Sequence, residues 1–217
     1  MNEKLEFLEI VPKKVSSIFI FLHGYGSDNS DMLSLAMTMR DLLPHTAILS
    51  VNAPWQCEIG QGYQWFSLKN MNMFSMLKEI KTSRTLLDNL IDEQLKKFSL
   101  KDENLVLVGF SQGAIMSLFT GLRRTEELMG IMSFSGMMSD TAETLKKELK
   151  SKPHTLLVHG TMDNVVPFDS LGKAEKLLKL FDVPHETHAI TGMGHTIDDG
   201  ALYFGREFIK ELFNKID

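Results

Sequence analysis

The chain has 217 residues, 43% of them hydrophobic and 24% charged, a balance that suits one substantial core rather than a disordered or fibrous protein. Its net charge of -5 leaves no basic footprint, which excludes nucleic acid as an expected partner. No apolar stretch approaches the ~20 residues needed to cross a bilayer, so no integral membrane association is expected.

In chain order, LEFLEI at 5–10 reads as an antiparallel edge strand, followed by IFIFL at 18–22 and TAILS at 46–50. Residues 52–77 mix Gly, Pro, aromatics and Met without one period, and are expected to form an irregular, lid-like segment. Leu87, Leu90, Ile91, Leu95 and Phe98 then repeat at helical spacing. Further strands are expected at 105–109 (LVLVG), 130–134 (GIMSF), 155–160 (TLLVHG) and 186–190 (ETHAI). A last amphipathic helix carries Phe204, Phe208, Ile209, Leu212 and Phe213. Strands alternating with helices predict an α/β fold, with a mostly parallel central sheet covered by helices on both faces and no large cap domain. No repeat or linker interrupts residues 1–217, so a single domain is expected. Cys57, the single cysteine, cannot form an internal disulfide, and MNEKLEFLEI is too charged for a signal peptide; a cytoplasmic setting is the expectation.

Ligands of an open parallel sheet gather at the carboxyl ends of its strands, so the residues just beyond each strand carry the functional argument. Gly109-Phe110-Ser111-Gln112-Gly113 follows LVLV with the G-x-S-x-G spacing of a sharp strand-to-helix turn. A serine there can be a turn residue or helix cap, but the strand before it and the helix after it favour an exposed nucleophile. The flanking glycines are expected where such a turn leaves no room for side chains.

A serine hydroxyl needs a base, and the base an orienting carboxylate. His195, in the glycine-rich TGMGHTID after the last strand, is the expected base, and Asp163 in VHGTMDNVVP the expected carboxylate. His159, at a strand end, is the rival base; His188 alternates within its strand and reads as packed or surface; His45, His154 and His185 read as loop or strand-start residues. Asp198 and Asp199 look like first-turn helix carboxylates. Negative charge on a substrate oxygen needs preset backbone N–H donors, and the Tyr25 amide in His23-Gly24-Tyr25-Gly26 and the Gln112 amide are expected to supply them. His23 is expected to brace that loop by hydrogen bonds.

The motifs LHGYGSD (22–28), APW (53–55), QWFSL (64–68), GFSQGA (109–114), HGTMDNVVP (159–167) and GMGHTI (192–197) closely resemble the carboxylesterase, lysophospholipase and acyl-protein thioesterase family of α/β-hydrolases. The resemblance spans nearly the whole chain. It implies the α/β-hydrolase fold and a serine esterase acting on short-to-medium acyl esters, lysophospholipids or acyl thioesters, with Ser111, Asp163 and His195 as triad and Tyr25 and Gln112 as oxyanion donors. It also places an acyl-binding wall on Trp65, Phe66, Met71, Met73 and Phe74, whose apolar, flexible side chains suit acyl chains. Many relatives carry an aspartate where this chain has Ser67, and the serine resembles the bacterial form. That departure argues against transferring a depalmitoylase-like specificity, which stands as the alternative beside a non-catalytic binding protein on the same fold. No metal-ligand spacing is present along the sequence, so no metal or cofactor is expected. Relatives are often dimeric, which makes a homodimer the expectation by analogy.

Overall fold

In the computed structural model, which describes residues 4–69 and 73–215 and leaves out the side chains of Met73 and Phe74, the apolar runs become strands β1 (Phe7–Ile10), β2 (Ser17–Leu22), β3 (Thr46–Val51), β4 (Trp55–Gln56), β5 (Tyr63–Gln64), β6 (Leu105–Phe110), β7 (Gly130–Phe134), β8 (Thr155–Gly160) and β9 (His185–Ile190). The helices are α1 (Asn29–Met37), α2 (Met73–Phe98), α3 (Gln112–Gly121), α4 (Ala142–Glu148), α5 (Asp169–Leu180) and α6 (Asp199–Asn214). Seven strands form one sheet in the order β1-β3-β2-β6-β7-β8-β9, with β1 antiparallel to β3 and every other pairing parallel.

Strands covered on both faces read as continuous apolar runs, because neither set of alternating side chains can meet water. In β2, Ile18, Ile20 and Leu22 enter one cluster with Leu87, Leu90 and Ile91 of α2, Ile115 and Phe119 of α3 and Leu171 of α5. Phe19 and Phe21 enter the opposite cluster with Met32 and Ala36 of α1 and Phe208, Ile209 and Leu212 of α6. This is the expected α/β-hydrolase type of fold, with helices on both faces. Asp199 lies in the first turn of α6 as expected, whereas Asp198 stands one residue before it as the N-cap, its carboxylate accepting from the Ala201 amide at 2.9 Å.

Within 52–77, the described residues 52–69 and 73–77 hold more regular structure than their composition suggests. β4 and β5 form a short antiparallel hairpin pairing Trp55 with Gln64 and Gln56 with Tyr63, and α2 already begins at Met73. Strands two residues long carry no readable period, and the turn between them depends on Gly60 and Gly62, both at positive φ. Met71 falls outside the described residues.

Candidate active site

The loops after β2, β6, β8 and β9 meet at the carboxyl edge of the sheet. Ser111 caps α3 with φ 54 and ψ -117, a strained backbone that lifts its side chain away from the sheet. The neighbouring glycines have a measurable reason. A Cβ on Gly113 would sit 1.9 Å from the Leu22 carbonyl oxygen, and one on Gly109 would sit 2.2 Å from that of Gly113.

The Ser111 hydroxyl lies 3.0 Å from His195 Nε2, and His195 Nδ1 lies 2.7 Å from Asp163 Oδ2. A carboxylate oxygen can only accept, so Nδ1–H donates to Asp163 and Nε2 is free to accept from Ser111. Asp163 Oδ1 accepts the amides of Val165 and Val166, each at 2.9 Å. Burial by itself would raise the Asp163 carboxyl, but the bond from His195 and the two amides hold it below the usual carboxylate range. The fold thus brings together the hydroxyl, imidazole and carboxylate singled out in the sequence, in a geometry able to take the serine proton.

The rival histidine has a different place. His159 is buried, donates from Nε2 to the Val166 carbonyl at 3.0 Å and approaches Asp163 Oδ2 at 3.3 Å, so it props the carboxylate. Its position four residues before Asp163 was the available signal. His188 is packed, stacking on Phe204 with ring centroids 3.7 Å apart.

His23 is fully buried. Its Nδ1–H donates to the Gly24 carbonyl at 2.6 Å, and Nε2 accepts the Ala53 amide at 3.0 Å, while burial pushes its pKa down. The ring is therefore neutral and engaged on both nitrogens, the bracing arrangement expected for it. Beyond it, a Cβ on Gly24 would come within 3.2 Å of the Ser111 Cβ, so the loop presses against the serine. The amides of Tyr25 and Gln112 donate to no acceptor among the described residues, and the Gln112 amide opens the positive end of α3. Gln112 also uses its side chain, accepting from the Trp65 amide at 3.0 Å and donating to the Phe66 carbonyl at 2.9 Å.

A cleft of about 880 Å³ opens over Ser111 and His195. Gly24, Tyr25, Gln112 and Phe66 line it, joined by side chains that no local sequence signal marks: Met32 and Leu35 of α1, Leu68, Met76 of α2, Ile115 of α3 and Met137. Trp65 is not on that wall. It is 0% exposed and its indole N–H donates to the His23 carbonyl at 3.0 Å, which makes it a brace beneath the loop. Met73 and Phe74 begin α2, but their side chains, like Met71, lie outside the description.

Among the described residues the fold also assembles a group with metal-ligand spacing that the sequence does not display. Donor atoms of His154, Glu186 and Glu211 lie within 4.8 Å of one another, at the amino ends of β8 and β9 and far along α6. The Lys215 ammonium is 2.6 Å from Glu211 and 3.1 Å from His154 Nδ1, so a fixed cation already balances this cluster. None of the described helices is long and apolar enough to cross a membrane.

Residues 5–213 match the family described as phospholipase/carboxylesterase. The chain is similar to the acyl-protein thioesterase 1 of Aspergillus fumigatus, with 30% identity over 213 residues, covering 87% of this chain and 86% of that protein. It is equally similar to that of Emericella nidulans, 30% over 195 residues, covering 78% and 80%. Among solved structures it is similar to esterase PE8, with 35% identity, a TM-score of 0.91 and coverage of 96% of this chain and 99% of that one.

Proposed function

The chain belongs to the phospholipase/carboxylesterase family of α/β-hydrolases and is a hydrolase of the esterase and thioesterase kind, and from that premise we propose that it is a serine esterase cleaving short-to-medium acyl esters through an acyl-enzyme. The observation that carries this reading is the continuous contact from Ser111 to His195 at 3.0 Å and from His195 to Asp163 at 2.7 Å, at the floor of a largely apolar cleft.

Ser111 Oγ attacks the acyl carbonyl while His195 Nε2 takes its proton, and Asp163 stabilises the resulting imidazolium. The oxygen that becomes negative is received by the Tyr25 and Gln112 amides, donors that need no reorganisation as charge develops. Collapse expels the alcohol, which takes its proton from His195. Water then gives a proton to His195 and attacks the acyl-enzyme, releasing the acid and restoring Ser111. Phe66 and the apolar residues around it receive the acyl chain, and Phe66, Leu68 and Met76 serve as the lid-like side of the cleft.

A second reading, an acyl-protein thioesterase, is favoured by the thioesterases among the relatives. In it the leaving group is a thiol and the residues keep the same roles. Hydrolysis of p-nitrophenyl esters and acyl thioesters of graded length, by wild type and Ser111→Ala in parallel, separates the two. Turnover by wild type alone supports the serine mechanism, and the ester-to-thioester ratio ranks the readings. Equal inertness of both proteins, with no labelling of Ser111 by a fluorophosphonate, leaves a binding protein on this fold.

A further inference from the structure

The β4–β5 hairpin lies across the loop that holds Tyr25. The Gly26 amide donates to the Tyr63 carbonyl at 2.9 Å, and the Tyr63 amide donates back to the Ser27 carbonyl at 2.8 Å. The approach is close enough that a Cβ on Gly62 would stand 2.3 Å from the Gly26 oxygen and 2.6 Å from that of Ser27. At the turn of the hairpin, the Glu58 amide donates to Gln64 Oε1 at 3.0 Å. The Glu58 carboxylate accepts the Ser67 hydroxyl on Oε1 and the Tyr25 phenol on Oε2 at 3.4 Å. Ser67 is in turn tied to α2 by its amide, which donates to Glu79 Oε2 at 2.6 Å.

We propose that Glu58 is a positioning residue for the oxyanion donor: by joining the Tyr25 phenol to Ser67 it locks the hairpin over residues 24–27 and holds the Tyr25 amide in place beside Ser111. The inference rests on the hydrolase reading of that serine and adds to it a residue that touches neither substrate nor Ser111. The Ser67 hydroxyl keeps the Glu58 carboxyl below its usual range, and burial together with Cys57 and Glu58 pushes the Tyr25 phenol up to about 12. Acceptor and donor therefore keep their roles throughout the neutral range. The benefit is geometric, since a misplacement of ~1 Å at a reacting group costs up to ~100-fold in rate.

The test uses Glu58→Ala, Glu58→Gln and Tyr25→Phe in the full-length protein, with kcat and KM for p-nitrophenyl butyrate and the inhibition constant of a trifluoromethyl ketone of matching length, whose adduct puts an oxyanion in the same place. For Glu58→Ala the expected result is a fall in kcat of about tenfold with KM within about twofold of wild type, and ketone binding weakened by the same factor as kcat/KM. Glu58→Gln, which keeps one carbonyl acceptor, should recover part of the loss. Glu58→Ala combined with Tyr25→Phe should be no worse than the deeper single variant, as expected of two groups acting through one contact. An unchanged kcat, a rise in KM alone or additive losses would overturn the proposal. Amide hydrogen exchange over residues 24–27 gives a readout that needs no turnover: Glu58→Ala should exchange faster there, and an unchanged rate also overturns it. Failure of wild-type Ser111 to take a fluorophosphonate would count against the hydrolase reading and leave the exchange result to judge the clasp.

Discussion

His195 meets Asp163 at 2.7 Å through Nδ1, while the other oxygen of the same carboxylate is held by two backbone amides. Asp163 is therefore oriented before it acts. Asp163→Asn keeps an oxygen for the Val165 and Val166 amides but turns an NH₂ toward His195 Nδ1. That forces the opposite tautomer, with a proton on Nε2 facing Ser111. The expected outcome is a fall in kcat of ~10⁴ with KM nearly unchanged, measured by steady-state hydrolysis of p-nitrophenyl butyrate.

Gly113, beside Ser111, and Gly60, in the β4–β5 turn, are predicted to be structural in different degrees. Gly113→Ala drives a methyl into the Leu22 carbonyl oxygen, at 1.9 Å, in a helix whose residues are all buried. Its cost should reach or exceed the upper end of the roughly 1–3 kcal/mol typical of overpacking. Gly60→Ala meets nothing within 4 Å and is penalised only for its φ of 81, at about 1 kcal/mol. Urea unfolding of both variants checks the order; equal losses would mean that α3 and the loop after β2 shift enough to relieve the crowding at Gly113.

Trp65 and Leu68 should separate brace from cleft wall. Trp65→Phe removes the indole N–H and leaves the buried His23 carbonyl without that donor, a loss of about 1–3 kcal/mol in unfolding free energy with KM for acyl esters unchanged. Leu68→Ala trims a residue that lines the cleft and is 40% exposed. Stability should hardly move, while KM for an eight-carbon acyl ester rises about threefold, equivalent to ~0.7 kcal/mol of lost apolar contact.

The buried His23 makes a pH prediction with a definite sign. Burial lowers its folded-state pKa below the value of about 6.5 that it regains on unfolding. Between those two values the unfolded chain binds a proton that the native protein refuses, so stability is full above about pH 6.5 and declines as pH falls through the window beneath it. His23→Asn lacks this term. The stability gap between wild type and the variant should narrow from pH 7 to pH 5, by chemical denaturation at each pH; a constant gap would mean that folding leaves the His23 pKa unshifted.

The sequence by itself determined the alternation of strands and helices, the coverage of both sheet faces, and the positions of Ser111, Asp163 and His195. Each rests on a signal read within a few residues: apolar runs such as IFIFL, helical periods such as Phe204 to Phe213, and glycines beside a serine at a strand end. Even the steric demand on Gly109 and Gly113 was legible, because a sharp turn imposes it locally. Tertiary structure alone decided that Trp65 supports His23 instead of lining the cleft, that His159 props Asp163, that Met32, Ile115 and Met137 share one wall, and that Glu58 reaches both Tyr25 and Ser67. Those relations join residues on different elements, and their chemistry depends on distances of a few ångströms that the sheet order and helix packing set. An apolar or acidic residue in a loop looks the same in sequence whichever partner the fold brings to it.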